Sequence, residues 1–448
     1  MEGTLAERHV GFEAEPLQFA VKSRAESVGV LGLGYVGLPI ALALAEKYET
    51  VHGFDIDSRR IAALKSAHDW THEVTRDTLL GSDLNLTCMI EDLVNCSIYV
   101  VAVPTPINAE NQPDFEPLVS ACRVIGPLLR KGTIVVFEST VHPGATEEIC
   151  GPELEARSGF TAGVDFHLAY SPERISPGDH QHGLRSVTKI ISAQSAAALE
   201  RIANLYKSVV PAGVHRAPSI KVAEAAKVFE NTQRDVNIAL MNELSQICEK
   251  LGIRTTDVVE ATATKWNALP FTPGLVGGHC IGVDPNYLLT CAERLGVRAD
   301  IMRAARSRNE AVAERIVNRV VRRLSRADLR LRSARVGILG VTFKENVPDI
   351  RNSKVLDVIR GLRDLGIEPL MNDPVASTSD CAKAGVQLSN IECLSDLDLL
   401  ILAVPHKAYL AGRGQYLQQL LRQGGSVIDI RAALKPDELR DDLHYWSL

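Results

Sequence analysis

The chain lacks the marks of a metal, membrane or nucleic-acid protein. Its nine cysteines, at positions 88, 96, 122, 150, 248, 280, 291, 381 and 393, form no C-x-x-C pair and no His/Cys metal spacing. An odd, scattered count in a large chain excludes a disulfide framework and points to reduced thiols in a cytosol. No segment reaches the roughly 18 apolar residues of a membrane span. Residues 1–26 carry Glu2, Glu7, Glu13 and Glu15 and no apolar core, so they read as an N-terminal extension, not a signal peptide. There is no run of like charges to suggest an interaction tail. The formal net charge of −6 gives no basic footprint for nucleic acid.

What is present is a soluble globular composition, 46% hydrophobic and 23% charged over 448 residues. That length exceeds one ordinary core and implies two or three domains. Residues 27–31 read as a short buried strand running into Gly32-Leu33-Gly34-Tyr35-Val36-Gly37. A helix-like segment over 38–47, a second strand over 50–54 and Asp55 follow. In this strand–turn–helix–strand–acid order the first glycine allows a tight turn, the second admits a pyrophosphate, and the third packs helix on strand. The helix N-terminus supplies free N–H groups for the phosphates. Asp55 suits an adenosine ribose and favours NAD over NADP. Arg59 and Arg60 follow closely and weaken that preference slightly; a solvated helix start is their plain reading. Arg60 is carried as a cofactor-site candidate.

The parallel pattern continues. Residues 96–103 read as a buried strand ending in Pro104-Thr105-Pro106, and 133–137 as another ending in Glu138-Ser139-Thr140. Ligands of open α/β sheets bind beyond the carboxyl ends of strands, which places Pro104, Thr105, Ser139 and Thr140 at a cofactor or substrate. A strand-like run over 167–171 is followed by Pro172-Glu173-Arg174, so Glu173 also stands at a strand exit.

At Ser219 the texture changes. No proline or glycine occurs from 219 to 251, and Val222, Ala225, Phe229, Val236, Leu240, Leu244, Ile247 and Leu251 recur at mostly three- and four-residue steps. This predicts one amphipathic helix of roughly 50 Å at 1.5 Å per residue, capped by Ser219 and stopped by Gly252. Such a helix crosses between domains or lies in a dimer interface. Its other face carries Glu224, Lys227, Asn231, Arg234 and Asp235, with Lys227 and Asn231 on one side at i, i+4. More helix is expected near 255–262 and over about 287–324. Between them, residues 273–285 hold four glycines and two prolines around Cys280 and Asp284. Neither helix nor central strand tolerates that composition. Alone, the loop is a tight connection with a buried cysteine.

From Ser333 the α/β pattern restarts. Arg335-Val336-Gly337-Ile338-Leu339-Gly340-Val341 resembles the first strand and turn, and a strand over 397–404 ends in Pro405 as its earlier counterpart ends in Pro104. Only a G-x-x-G survives, so this half is expected to bind something else, most simply the nucleotide part of a substrate. Lys344 and Arg351 suit phosphate. The fold class is therefore α/β, with two Rossmann-like doubly wound parallel-sheet domains joined by a long central helix and a helical dimerisation region. The expected divisions are an extension at 1–26, a NAD-binding domain at 27–218, a central helical domain with the cysteine loop at 219–325 and a second nucleotide-binding domain at 326–448, which the family resemblance described next implies is UDP-sugar-binding.

Six segments together resemble the UDP-glucose/UDP-mannuronate dehydrogenase superfamily. They are the glycine turn with Leu38-Pro39, Glu138-Ser139-Thr140-Val141, Ser171-Pro172-Glu173-Arg174, Glu224-Ala225-Ala226-Lys227 through Asn231, Gly277-Gly278-His279-Cys280 with Asp284-Pro285, and Phe343-Lys344. The helix segment 231–240 and Lys265-Trp266-Asn267 are similar to the branch acting on UDP-N-acetylhexosamines, with the gluco or galacto epimer the first expectation and UDP-N-acetylmannosamine or UDP-glucose the alternative. The resemblance implies a cytoplasmic, NAD-dependent four-electron oxidation of the sugar C6 alcohol to a carboxylate for bacterial surface polysaccharides, by a homodimer or higher oligomer. It implies Cys280 as nucleophile and Lys227 and Asn231 as oxyanion donors. Asp284 would assist proton movement or tune Lys227 and, with it, the thiol. Glu173 would serve hydrolysis, with Thr140 holding the water. His279, though adjacent, is not assigned as base. The implied NAD contacts are Gly32, Gly34, Tyr35, Val36, Gly37, Asp55, Arg60, Pro104, Thr105, Ser139, Thr140 and Arg351. The implied substrate contacts are Glu173, Arg174, Lys227, Asn231, Arg234, Asn267, Phe271, Gly274, Gly277, Phe343 and Lys344, the glycines giving a sugar room against backbone. Asn286 after Asp284-Pro285, and Ser176 in Ile175-Ser176-Pro177-Gly178-Asp179, depart from that branch's usual Tyr and Asn. A two-electron NAD dehydrogenase of the 6-phosphogluconate type needs neither Cys280 nor the second half; a silent NAD/UDP-sugar sensor would need no intact cysteine, lysine or carboxylates.

Overall fold

Short strands buried on both faces form two sheets, one at each end of the chain. The computed structural model describes residues 22–108, 112–174, 183–278 and 280–448. The extension up to residue 21, the segment 175–179 and His279 lie outside them. The first sheet holds β1 (Ser23–Leu31), β2 (Tyr48–Phe54), β3 (Asn85–Thr87), β4 (Ile98–Val101), β5 (Ile134–Phe137), β6 (His167–Tyr170), β7 (Lys189–Ala193) and β8 (Val214–Arg216). β1 starts at Ser23, four residues before the expected Ser27, and Glu26 within it is held by Arg201. The strand order is 3-2-1-4-5-6-7-8, parallel throughout except between β6 and β7.

The second sheet holds β9 (Val336–Leu339), β10 (Leu370–Asn372), β11 (Leu397–Leu402), β12 (Leu421–Asp429) and β13 (His444–Ser447). Its order is 10-9-11-12-13, with every pair parallel. In each sheet the order reverses beside the opening strand, the place where open α/β sheets leave a crevice at their carboxyl ends.

The central helix spans Ile220–Leu251, with Ser219 accepting from the Val222 N–H and Gly252 left-handed at φ +70°. Its face is the reverse of the expected one. None of the eight stripe residues is buried, and Phe229 and Leu240 are 59% and 58% exposed. Glu224, Lys227, Asn231 and Asp235 are buried instead, while Arg234 is exposed. Long-range partners explain the inversion. Glu224 accepts from the N–H groups of Gly144 and Thr146 at 2.5 and 2.9 Å. Asp235 accepts from Arg306 and Asn309 at 2.7 and 2.8 Å. The expected helix over 287–324 is two helices, Asp284–Arg294 and Asp300–Arg326, parted at Gly296 with φ +67°.

The three glycines of the first turn do different things. Gly32 has φ +88°, and a Cβ there would lie 2.9 Å from the Ala102 carbonyl oxygen. A Cβ on Gly37 would lie 1.8 Å from the Gly32 carbonyl oxygen, whereas one on Gly34 would meet nothing within 4 Å. Gly34 thus faces open space and Gly37 closes the turn. Gly37→Ala should lower unfolding stability by about 1–3 kcal/mol, the usual range for overpacking, in thermal or urea melts. Gly34→Ala should melt with the parent yet bind NAD at least about tenfold more weakly, roughly 1.4 kcal/mol, by calorimetric titration.

Candidate active site

The turn after β1 and the acid after β2 face each other across the first crevice. Asp55 accepts from the Leu33 N–H and the Asp57 N–H, each at 2.9 Å, so its carboxylate is fixed at the turn. Arg60 corrects the expectation of a solvated helix start. It is 2% exposed, donates through Nε to the Leu33 carbonyl at 2.8 Å, lies 2.8 Å from Asp69 and packs 5.0 Å from the Trp70 ring. It braces the turn from inside and is not turned outward as a cofactor ligand. Its burial also removes the counterweight it was given to the NAD preference. Ser139 donates to the Val103 carbonyl at 2.7 Å, tying the exits of β4 and β5 together, with Thr140 partly buried beside it. Tyr35, inside the turn, lies 5.5 Å beneath the Arg351 guanidinium, which Asp349 grips at 2.7 Å. A residue of the C-terminal half thus closes over the first nucleotide turn.

The cysteine loop meets the central helix at one carboxylate. Asp284 opens the helix Asp284–Arg294 and is 1% exposed. Its Oδ2 accepts from Lys227 Nζ at 3.1 Å and from Asn231 Nδ2 at 2.5 Å. Cys280 is one turn back, its carbonyl accepting from the Asp284 N–H at 2.8 Å. The fold therefore brings Cys280, Lys227, Asn231 and Asp284 into one cluster, although Asp284 lies 57 and 53 positions from Lys227 and Asn231. On the same helix, Tyr287 is fully buried and donates to the Thr105 carbonyl at 2.6 Å. That bond joins the cysteine helix to the β4 exit; Tyr287 was not singled out from the sequence.

The charges in the cluster oppose one another. Burial pushes the Cys280 thiol up; Lys227 draws it down and Asp284 pushes it up again, leaving it above its ordinary value. Of the pair expected to activate the thiol by a lowered pKa or as a base, Lys227 with Asp284, only the lysine draws the thiol down; the carboxylate acts with burial, and those two outweigh the lysine. Burial works against the Lys227 ammonium, but Asp284 and Cys280 raise it above its ordinary value, so it stays charged. Lys227 therefore sets a positive charge against Asp284 and Cys280.

The loop glycines pack against the C-terminal half. A Cβ on Gly277 would lie 2.6 Å from the Asn352 carbonyl oxygen, and one on Gly278, at φ +81°, 2.6 Å from the Phe343 ring. A Cβ on Gly274 would meet Arg431 at 2.6 Å. The space these glycines leave is filled by the protein itself, not kept open for a sugar. Asn242 of the central helix clamps Gly274 by its N–H and carbonyl at 2.9 and 3.1 Å. Lys344 follows Phe343 and is partly buried.

The second turn repeats the frame of the first with its acid already used. Gly340 has φ +85°, close to that of Gly32. Asp373, after β10, accepts from the Val341 and Thr342 N–H groups at 2.7 and 3.2 Å. His406, fully buried, then covers it, Nε2 lying 3.1 Å from the same carboxylate oxygen. A ribose could not reach Asp373 as it could Asp55. Neither residue was picked out from sequence, because only their 33-residue separation in the folded chain pairs them.

Glu173, after β6, accepts from Lys189 Nζ at 2.8 Å. Arg174 pairs with Glu230 of the central helix, and Arg234 reaches the same carboxylate at 3.4 Å. Glu230 and Arg234 both act on the Cys280 thiol. Phe271 is partly buried, whereas Asn267 stays exposed beside Trp266, which is 96% exposed. Asn267 thus lies outside the buried cluster.

Three family models cover most of the chain. They are the NAD binding domain, central domain and UDP binding domain of the UDP-glucose/GDP-mannose dehydrogenase family, over residues 26–210, 221–311 and 337–436. Protein CapL of Staphylococcus aureus is 47% identical, covering 94% of this chain and 99% of its own. A UDP-N-acetyl-D-glucosamine 6-dehydrogenase of Pseudomonas aeruginosa is 44% identical, covering 93% and 98%. The solved UDP-D-ManNAc dehydrogenase of Pyrococcus horikoshii superposes with TM-score 0.85 at 29% identity, covering 94% of this chain and 98% of its own. With an open nucleotide turn at Gly34 and a cysteine clustered with lysine, asparagine and aspartate, the chain belongs to the UDP-glucose/GDP-mannose dehydrogenase family, as an NAD-binding oxidoreductase.

Proposed function

We propose that this protein oxidises the C6 hydroxyl of a UDP-N-acetylhexosamine to the uronic acid, four electrons in all, through a covalent intermediate on Cys280. The observation that carries this reading is the Lys227–Asp284–Asn231 cluster one helical turn from Cys280. The glucosamine epimer is favoured by the name of the Pseudomonas aeruginosa relative. The activity would be cytoplasmic and would feed a surface polysaccharide. Among the described residues no helix is long and apolar enough to cross a membrane.

NAD, held by Gly32, Gly34, Tyr35, Val36, Gly37, Asp55, Pro104, Thr105, Ser139, Thr140 and Arg351, supplies two hydride acceptors in succession. The open face of Gly34 fits such a group. The UDP-sugar lies against Phe343, Lys344, Phe271, Arg174 and Arg234. The Lys227 ammonium and the Asn231 amide steady negative charge on the C6 oxygen. Loss of the first hydride leaves the aldehyde, with the C6 hydroxyl proton passing to water; the Cys280 sulfur then adds to the aldehyde carbon, Asp284 takes the thiol proton, and Lys227 and Asn231 hold the C6 oxyanion that results. That thiohemiacetal, oxidised once more, is a thioester. Water cleaves it, giving its proton to Glu173, with Thr140 orienting the water. A thiol held protonated at rest is protected until an aldehyde is present to receive it.

We infer that a second copy of this chain covers the outer face of the central helix, a reading supported by the exposed stripe of Val222, Phe229, Leu240, Ile247 and Leu251. One element repeats the same apolar residues over its whole length, which a self-complementary two-fold contact uses on both sides.

A panel of UDP-sugars, with NADH followed by its absorbance, should give two NADH per sugar with the N-acetylhexosamine turned over best. Cys280→Ser should yield no acid product; one NADH with a stable aldehyde or ketone contradicts the reading. In sedimentation, the parent should run as a dimer or larger, and Phe229→Asp with Leu240→Asp as a folded monomer. An unchanged oligomer would refute the assigned face.

A further inference from the structure

Behind Glu173 lies a buried cluster that none of the steps above uses. Glu138 directly follows β5, Lys189 opens β7, and Tyr206 lies near the end of the helix Ala196–Lys207. They are 2%, 3% and 0% exposed. Lys189 Nζ donates to Glu173 Oε2 at 2.8 Å and to Glu138 Oε2 at 3.1 Å. The Tyr206 hydroxyl donates to Glu138 Oε1, and its ring lies 5.1 Å from Nζ. The second Glu173 oxygen accepts from the Arg174 N–H at 2.6 Å.

A buried ammonium needs one counter-charge, and Lys189 has two carboxylates against it, Glu138 and Glu173. The second carboxylate is in excess of that need, and it stands at the β6 exit, next in sequence to Arg174, which pairs with Glu230 of the central helix. Burial and the neighbouring Glu173 push the Glu138 carboxyl up while Lys189 and Tyr206 pull it down, leaving it at about 7. The two acids therefore compete for one cation.

We propose that Lys189 and Glu138 are positioning residues for Glu173: Lys189 holds its carboxylate ionised and fixed in orientation, and Glu138, anchored by Tyr206, sets how much of the lysine charge Glu173 receives. This rests on the reading of Glu173 as the acceptor of water's proton. In that step the water oxygen bonds to the C6 carbonyl carbon, its proton passes to Glu173, and the C–S bond breaks with its electron pair returning to the Cys280 sulfur. No oxidant is consumed. Without Lys189, Glu173 would stand beside a second buried carboxyl with no cation between them, and one of the two would be protonated. The hydride steps would proceed and the thioester would wait.

The test mixes full-length enzyme with NAD and the preferred UDP-sugar, follows NADH in a stopped-flow mixer, and weighs the acid-quenched protein. Lys189→Met should release two NADH per site in a burst, then turn over on the order of a hundredfold more slowly, the scale of a lost general base, with the acyl adduct on Cys280. Lys189→Arg should restore most of the rate and lose the adduct. Glu138→Gln, which keeps the shape and the Tyr206 contact, should lower kcat several-fold at unchanged KM and raise the adduct fraction. Glu173→Gln is the reference. If it gives no adduct, the role of Glu173 itself is overturned. If it gives one while Lys189→Met and Glu138→Gln give none, only the positioning role is overturned, and the cluster serves the fold alone.

Discussion

A single buried carboxylate sets the geometry of the site. Lys227 lies on the inner face of the central helix, where an unpaired ammonium would cost several kcal/mol. Asp284 is the group that meets it, at 3.1 Å, and it opens the helix that follows the cysteine loop. Pairing the two therefore fixes where Cys280 stands relative to Lys227 and Asn231. The other anchors align with this one. Tyr287 ties the same short helix to the β4 exit, Gly277 and Gly278 press the loop onto Asn352 and Phe343, and Asn242 clamps Gly274. These anchors of loop, nucleotide crevice and C-terminal half all fall between residues 274 and 287.

The two halves show how one frame is assigned two tasks. Each has a glycine near φ +85°, an acid after the next strand, and that acid accepting backbone N–H groups of the turn. In the first half the carboxylate remains accessible at the crevice. In the second, His406 is buried against it. The family's NAD and UDP binding domains fall on these halves in that order. Arg351 over Tyr35 then joins them across the first crevice.

Local features were legible in the sequence and long-range pairings were not. The glycine turn, the strand exits, the Ser219 cap and the Gly252 stop follow from backbone rules that act within a few residues. The orientation of the central helix does not. An apolar stripe predicts a buried face, yet Glu224, Lys227, Asn231 and Asp235 are buried because their partners, from Gly144 to Arg306, arrive from 53 to 80 positions away. Arg60 misled for the same reason, its partner carbonyl at Leu33 being 27 residues back. The catalytic candidates came from motif resemblance, while Glu138, Lys189, Tyr206 and the Asp373–His406 pair carry no short-range signal.

The central claim is that Cys280 is governed by opposing charges, a lysine that draws its proton off and an aspartate that holds it on, under a burial that favours the thiol. The most direct measurement is the pH dependence of Cys280 alkylation by iodoacetamide in substrate-free enzyme, followed by peptide mass. The parent should titrate above the ordinary thiol range, Lys227→Met higher still, and Asp284→Asn lower. A Cys280 that titrates below the ordinary range, or that ignores both substitutions, would contradict the account.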